Sequence, residues 1–158
     1  TSAQVAAFEK YIGHPLPTEY REFLFQYNGG HPDPDAFLLD NGSAAQEDIV
    51  LCFFPMLDLG LGPIECEEIE ELRTWPLHCA WDDLQSDLEN VYEMELEEPL
   101  LPVGTDGSSN YFCVVLAGNR AGSVVFLDHE MAESTLLGGS FNAFLASLRP
   151  RERTDYAF

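Results

Sequence analysis

The chain has 158 residues, 46% of them hydrophobic and eleven of them Phe, and it carries 28 acidic residues against 7 Lys and Arg, a formal net charge of −21. That length suits one domain with a real core, and the apolar content excludes a disordered acidic tail. A field this negative repels nucleic acid and anionic membranes and attracts basic partners over a range set by salt.

No apolar stretch approaches bilayer-spanning length, and the first residues lack the basic-then-apolar layout of a signal peptide. Cys52, Cys66, Cys79 and Cys113 stand among apolar neighbours with no C-x-x-C pair. They are expected to be buried thiols in a reducing compartment, which predicts a cytoplasmic protein.

In chain order, Ser2 is placed to cap a first helix from Ala3 to about Ile12, with Val5, Phe8 and Ile12 on its apolar face and Gly13 at its end. His14-Pro15-Leu16-Pro17 forms a rigid connector. A second helix starts near Thr18, with Glu19 in its first turn where the macrodipole favours an anion. Tyr20, Phe23, Leu24 and Tyr27 recur at helical spacing, and Asn28-Gly29-Gly30 supplies a left-handed stop. Strand-like runs follow at Ala36–Leu39 and Ile49–Phe54, with a turn region containing Asp40-Asn41-Gly42 between them.

Trp81, Leu84, Leu88, Val91 and Tyr92 fall on one face of a helix, and Asp82, Asp83, Glu89 and Glu93 project from the other side. Pro99–Gly104 reads as a short strand ahead of a polar loop from Thr105 to Asn110. Tyr111–Ala117 and Ser123–Leu127, rich in Val, Phe and Tyr, read as a hairpin joined by Gly118-Asn119-Arg120-Ala121-Gly122. A closing helix capped by Ser140 carries Phe141, Phe144, Leu145 and Leu148, and Arg149, Arg151 and Arg153 form a basic tail. With no internal repeat or low-complexity linker, residues 1–158 are expected to form a single α+β domain.

The charge is unevenly spread. Between Glu65 and Glu98 there are thirteen acids and one base, Arg73, so a net charge of −12 sits in 34 residues. Self-repulsion there opposes folding, which favours a functional role for the acids. The competing explanation is a solvated amphipathic helix that serves solubility alone. The candidate partner-binding residues are Glu65, Glu67, Glu68, Asp82, Asp83, Asp87, Glu89 and Glu93.

Catalytic chemistry finds little support. His129, Glu130 and Glu133 imitate part of H-E-x-x-H, but the second histidine is missing and the segment follows a strand. A strand-end turn accounts for it. Cys66, His78 and Cys79 lack the paired spacing of a zinc knuckle. Gly138-Gly139-Ser140 is neither a nucleophile elbow nor a phosphate loop, and the one lysine, Lys10, is nowhere near it in sequence. Carboxylates are too abundant for any pair to signal acid/base catalysis. No catalytic residue, metal or cofactor is assigned.

Five segments in order resemble the SUKH superfamily of Smi/Knr-type domains, which includes yeast cell-wall regulators and many bacterial immunity proteins. Leu16-Pro17-Thr18-Glu19-Tyr20-Arg21-Glu22-Phe23-Leu24 and Tyr27-Asn28-Gly29-Gly30 are similar to its LPxxYxxFL…NGG opening. Leu100-Leu101-Pro102-Val103-Gly104-Thr105-Asp106-Gly107 resembles its hPhGxDxxG loop, although Ser108-Ser109-Asn110 stands where relatives often carry a further Gly. Gly122 to Glu130 is similar to its GxVYFhDHE strand, and Ser140 to Leu145 to its closing SFxxFL helix.

The resemblance implies helices packed against a largely antiparallel sheet and, for bacterial members, binding and neutralisation of a toxin. It does not extend to the acidic middle segment. With the charge, it leads to the expectation of an immunity protein, not an enzyme, that binds a basic toxin, a nuclease among the candidates, and occludes its active site. The alternatives are a scaffold or regulatory binding module of the same family without a toxin partner, and a hydrolase that uses His129 with a bound metal.

Overall fold

The computed structural model describes residues 1–40, 45–57, 75–93, 96–130 and 133–152. The first helix, α1, spans Ser2–Ile12, and Thr1 rather than Ser2 caps it: its Oγ1 accepts from Gln4 N, and the Gln4 side chain accepts from Thr1 N. Helix α2 spans Thr18–Gln26. Tyr20, Phe23 and Leu24 are buried, while Tyr27, on the same stripe by sequence, caps the helix, packs its ring near that of Phe23 and is 61% exposed.

Strands β1 (Ala36–Asp40) and β2 (Ala45–Ile49) form an antiparallel two-stranded sheet. The run expected as one strand from Ile49 to Phe54 is broken at Val50 and Leu51. Its first residue closes β2, and Cys52–Phe53 forms β3 in a second sheet. Helix α3 (Leu77–Asn90) precedes β4 (Leu100–Thr105), β5 (Tyr111–Val115), β6 (Val124–Leu127) and β7 (Ser134–Gly138), and α4 (Phe141–Ser147) follows. The second sheet is antiparallel in the order β3-β4-β5-β6-β7. The expected β5–β6 hairpin is present, with Phe112 opposite Phe126 and Cys113 opposite Val125. Strand β7 was not anticipated.

The central strands are buried on both faces, so their side chains divide by period two between two apolar clusters. Leu101, Val103, Phe112, Val114, Val124 and Phe126 meet Val5, Phe8 and Ile12 of α1, Tyr20, Phe23 and Leu24 of α2, and Phe141 and Phe144 of α4. Leu100, Cys113, Val115, Val125 and Leu127 turn the other way and meet Leu84 and Leu88 of α3. Nine of the eleven phenylalanines are buried, which accounts for the aromatic composition. Phe23 and Phe141 alone bring ring centroids to 4.9 Å.

Polar contacts join the segments that carry the sequence motifs. Glu19 Oε2 accepts from Asn142 N at 2.9 Å, so the acid in the first turn of α2 caps the start of α4. Asn28 bonds both backbone groups of Met56, donating from Nδ2 and accepting at Oδ1. Asp106, buried, accepts from Ser108 N, Asn110 N and Asn110 Nδ2, and Asn110 Oδ1 accepts from His129 N and Nδ1. Arg149 and Arg151 of the expected basic tail pair with Glu47 and Asp35. Arg153 lies outside the described residues.

Gly29 shows why the N-G-G stop needs glycine. Its φ is +89°, and a Cβ would sit 2.8 Å from both Phe53 O and Pro55 N. Gly30 also has a positive φ, +112°, but a Cβ there meets nothing. Gly29→Ala is therefore expected to lower the unfolding free energy by about 2–4 kcal/mol, and Gly30→Ala by only about 1 kcal/mol. Urea denaturation of both variants checks this, and equal losses would mean that the backbone approach at Gly29 is not what the motif serves.

Candidate functional site

Helix α3 covers the second face of the five-stranded sheet and sets the geometry of the acidic surface. Leu77, Cys79, Ala80, Leu84 and Leu88 are its buried residues, and Trp81 is half-buried. Asp82, Asp83 and Glu89 are exposed, Asp87 is partly so, and Glu93 is exposed just beyond the helix. The structure thus brings five of the eight candidate acids together on and next to one helix. Glu65, Glu67 and Glu68 lie outside the described residues. Val91, expected on the apolar face, is 66% exposed: its N–H still bonds Asp87 O, but it lies past Leu88, the last buried residue of the helix.

Among the described residues, the acids on α3 have no ion-pair partner. Each arginine among the described residues pairs elsewhere: Arg21 with Glu9 at 2.5 Å, Arg120 with Glu98 at 2.7 Å, Arg149 with Glu47 at 3.2 Å and Arg151 with Asp35 at 2.5 Å. Among the described residues, Asp82, Asp83, Asp87, Glu89 and Glu93 make no ion pair. Asp82 is held by a neutral donor, the Tyr11 hydroxyl of α1, which lies 2.7 Å from each of its carboxylate oxygens.

The uncompensated charge is felt by its neighbours. Partial burial, with Asp87 and Asp82 nearby, pushes the Asp83 carboxyl above its usual range. Burial and the Asp82 carboxylate push the Tyr11 hydroxyl up to about 12. Tyr111, beneath the helix on β5, is likewise raised to about 12, first by burial and then by Asp83 and Asp87. Magnitudes decide whether the helix can bear this. Burying Leu84 or Leu88 stabilises by roughly 1.5–3 kcal/mol each, whereas a like-charge pair one helical turn apart costs about 0.2–0.5 kcal/mol. The apolar anchor wins, and the negative face is held rigidly on the sheet.

The other sequence candidates lead elsewhere. His129 lies in the turn after β6, where Nδ1 is 2.8 Å from Asn110 Oδ1 and the backbone carbonyl accepts from the Tyr92 hydroxyl. Among the described residues, no three His, Cys, Asp or Glu side chains are grouped to hold a metal. Cys79 is disulfide-bonded, its partner outside the described residues, while Cys52 and Cys113 are free. This corrects the expectation of buried thiols throughout. Disulfide pairing depends on proximity in space, which cysteine spacing in the sequence does not report. Among the described residues, no helix is long and apolar enough to cross a membrane.

Because the Asp83 carboxyl is raised in the folded chain, protonation favours folding. The stability it contributes is complete below the pKa of the unfolded chain and is lost as pH rises through the folded value. Asp83→Asn is therefore expected to stabilise the protein at pH 7 by about 0.2–0.5 kcal/mol, the size of its i,i+4 repulsion with Asp87. The gain should vanish at about pH 3, below the ordinary carboxylate range. Urea midpoints at both pH values test this, and a destabilised variant at pH 7 would contradict the assignment of strain.

Comparison with known proteins places this geometry in a family. The SPbeta prophage-derived uncharacterized protein YokK of Bacillus subtilis (strain 168) is 24% identical over 153 residues, which cover 94% of this chain and 74% of that protein. No solved structure matches the chain. The description "SMI1 / KNR4 family (SUKH-1)" matches residues 1–147, taking in α1 through α4 and all five motif segments. The chain belongs to the SMI1/KNR4 family, SUKH-1.

Proposed function

We propose that this protein is an immunity protein: it binds a basic toxin domain through the face carried by α3 and occludes the toxin's active site, catalysing no reaction itself. The observation that carries the reading is the group of solvent-facing carboxylates on and beside α3 that make no ion pair among the described residues, while each described arginine is engaged elsewhere. Unneutralised charge on a rigid support is preorganised for a cationic ligand. Like-charge repulsion within the free protein is relieved when that ligand docks.

Nucleases are the first class to test as toxin, because a cleft that binds phosphates must be basic and an acidic plug imitates its substrate. Glu65, Glu67 and Glu68 are proposed to extend the same face, with residues 1–158 acting as one unit. The proposed site of action is the cytoplasm. The Cys79 disulfide weighs against that location, since such bonds are rare in reducing compartments.

The test is complex formation with the toxin domain encoded beside this gene, measured at low and high salt. A tight complex is expected, with association slowed about tenfold or more by raised salt or by the triple variant Asp83→Lys, Asp87→Lys and Glu93→Lys. Absence of any complex would reject the immunity reading. Tight binding that ignores both salt and the triple variant would reject the electrostatic steering alone.

A further inference from the structure

Beside α3 lies a groove of about 630 Å³, bounded by the helix on one side and by the segment entering β4 on the other. Trp81, Leu88, Leu96 and Pro99 give it apolar walls, Gln85 and Glu89 are its exposed polar residues, and His14, half-buried in the connector between α1 and α2, also lines it. Leu88 is packed into the core, but Trp81 and Leu96 are only half-buried, so apolar surface is left uncovered among the described residues. Clefts that take ligands measure about 300–1,000 Å³, so this one holds a short peptide segment and not merely one side chain.

The groove's chemistry narrows the occupant. Glu89, about two helical turns from Trp81 along α3, offers two carboxylate oxygens that match the fork of a guanidinium, while Trp81 offers an apolar ring to the residues beside it. Glu89 has no ion pair among the described residues to compete with such a ligand. A wholly apolar segment would desolvate Glu89 with no partner, and a second copy of this chain, itself carrying −21, would be repelled. We propose that the groove receives a short arginine-bearing segment of the partner. The guanidinium bonds the Glu89 carboxylate, and flanking apolar residues pack on Trp81, Leu88 and Leu96. This rests on the reading of the α3 face as the docking surface for a basic protein, and it makes Trp81 the anchor of that surface.

An acetylated and amidated Gly-Leu-Arg-Leu-Gly peptide is the probe, with Lys and Gln counterparts, titrated into the intact protein. The readout is the indole N–H resonance of Trp81, assigned with Trp81→Phe. The arginine peptide is expected to shift it, with the lysine peptide about threefold weaker and the glutamine peptide about tenfold weaker. Glu89→Lys should weaken the arginine peptide about tenfold. Glu22→Lys, the same charge change at an exposed position on α2, should weaken it less than about threefold, since Glu22 does not line the groove.

An unmoved Trp81 resonance at about 10 mM peptide overturns the proposal. So does equal weakening by the two charge reversals, or equal binding of the arginine and glutamine peptides. The toxin separates this proposal from the reading beneath it. A complex that forms normally with Glu89→Lys and Trp81→Ala removes the groove and leaves the immunity reading. Loss of any toxin complex, with the peptide signature intact, removes the immunity reading alone.

Discussion

Strands β4, β5 and β6 present apolar side chains to both faces of their sheet, and this two-sidedness constrains the rest of the molecule. Neither face can be left to water when each buried methylene contributes about 0.8 kcal/mol. One face takes α1, α2, α4, Phe37 of β1 and the first turn of α3, through Leu77 and Ala80, as its cover, and the other takes Leu84 and Leu88 of α3. Helix α3 is thus fixed from within by Leu84 and Leu88, while nothing in the core dictates its outer side. A face so held is available for charge.

The residues that carry the family resemblance do their work at the seams of this arrangement. Glu19 and Asn142, 123 positions apart, tie the opening of α2 to the start of α4. Asn28 clips the end of α2 to Met56, and Gly29 lets the backbones there touch. Asp106 folds its own loop, and Asn110 passes that order to His129 in the turn after β6. Each contact satisfies backbone donors or acceptors that loop geometry would otherwise strand. The motifs therefore describe how the scaffold closes, and the surface that distinguishes this chain lies on α3, to which the resemblance did not reach.

What could be read in advance follows the same division. Helices with full apolar stripes and the Val- and Phe-rich β5–β6 hairpin declare themselves through local periodicity. Strand β2, Ala45-Gln46-Glu47-Asp48-Ile49, does not, because no residue in it is buried and its pairing with β1 alone makes it a strand. Strand β7 is an edge strand with a mixed pattern and was missed for the same reason. Tyr27 and Val91 keep the helical hydrogen bond four residues back but stand exposed at the ends of their helices, a difference in cover that a helical wheel does not report. The acidic ridge on α3 was legible, since Asp82, Asp83 and Glu89 alternate with the anchoring leucines. The groove beside it was not, because Leu96 and Pro99 come from an irregular segment with no periodic signal of its own.

The distribution of cations completes the argument about charge. Arg21, Arg120, Arg149 and Arg151 each bridge different parts of the chain: α1 to α2, the β5–β6 turn to the approach to β4, and the C-terminal segment to β2 and to the approach to β1. Exposed pairs of this kind contribute about 0–1 kcal/mol each, so they are not what holds the fold together. Their consequence is positional. With the described arginines confined to seams away from α3, its acids make no ion pair among the described residues, and their charge adds to the effect of burial in raising Asp83, Tyr11 and Tyr111. If repulsion within the free protein is a standing cost, then a cation arriving from outside removes that cost as well as adding its own attraction. On the proposed function, the instability that the acids impose on the unbound chain and the affinity they lend to the complex are one electrostatic quantity viewed from two states.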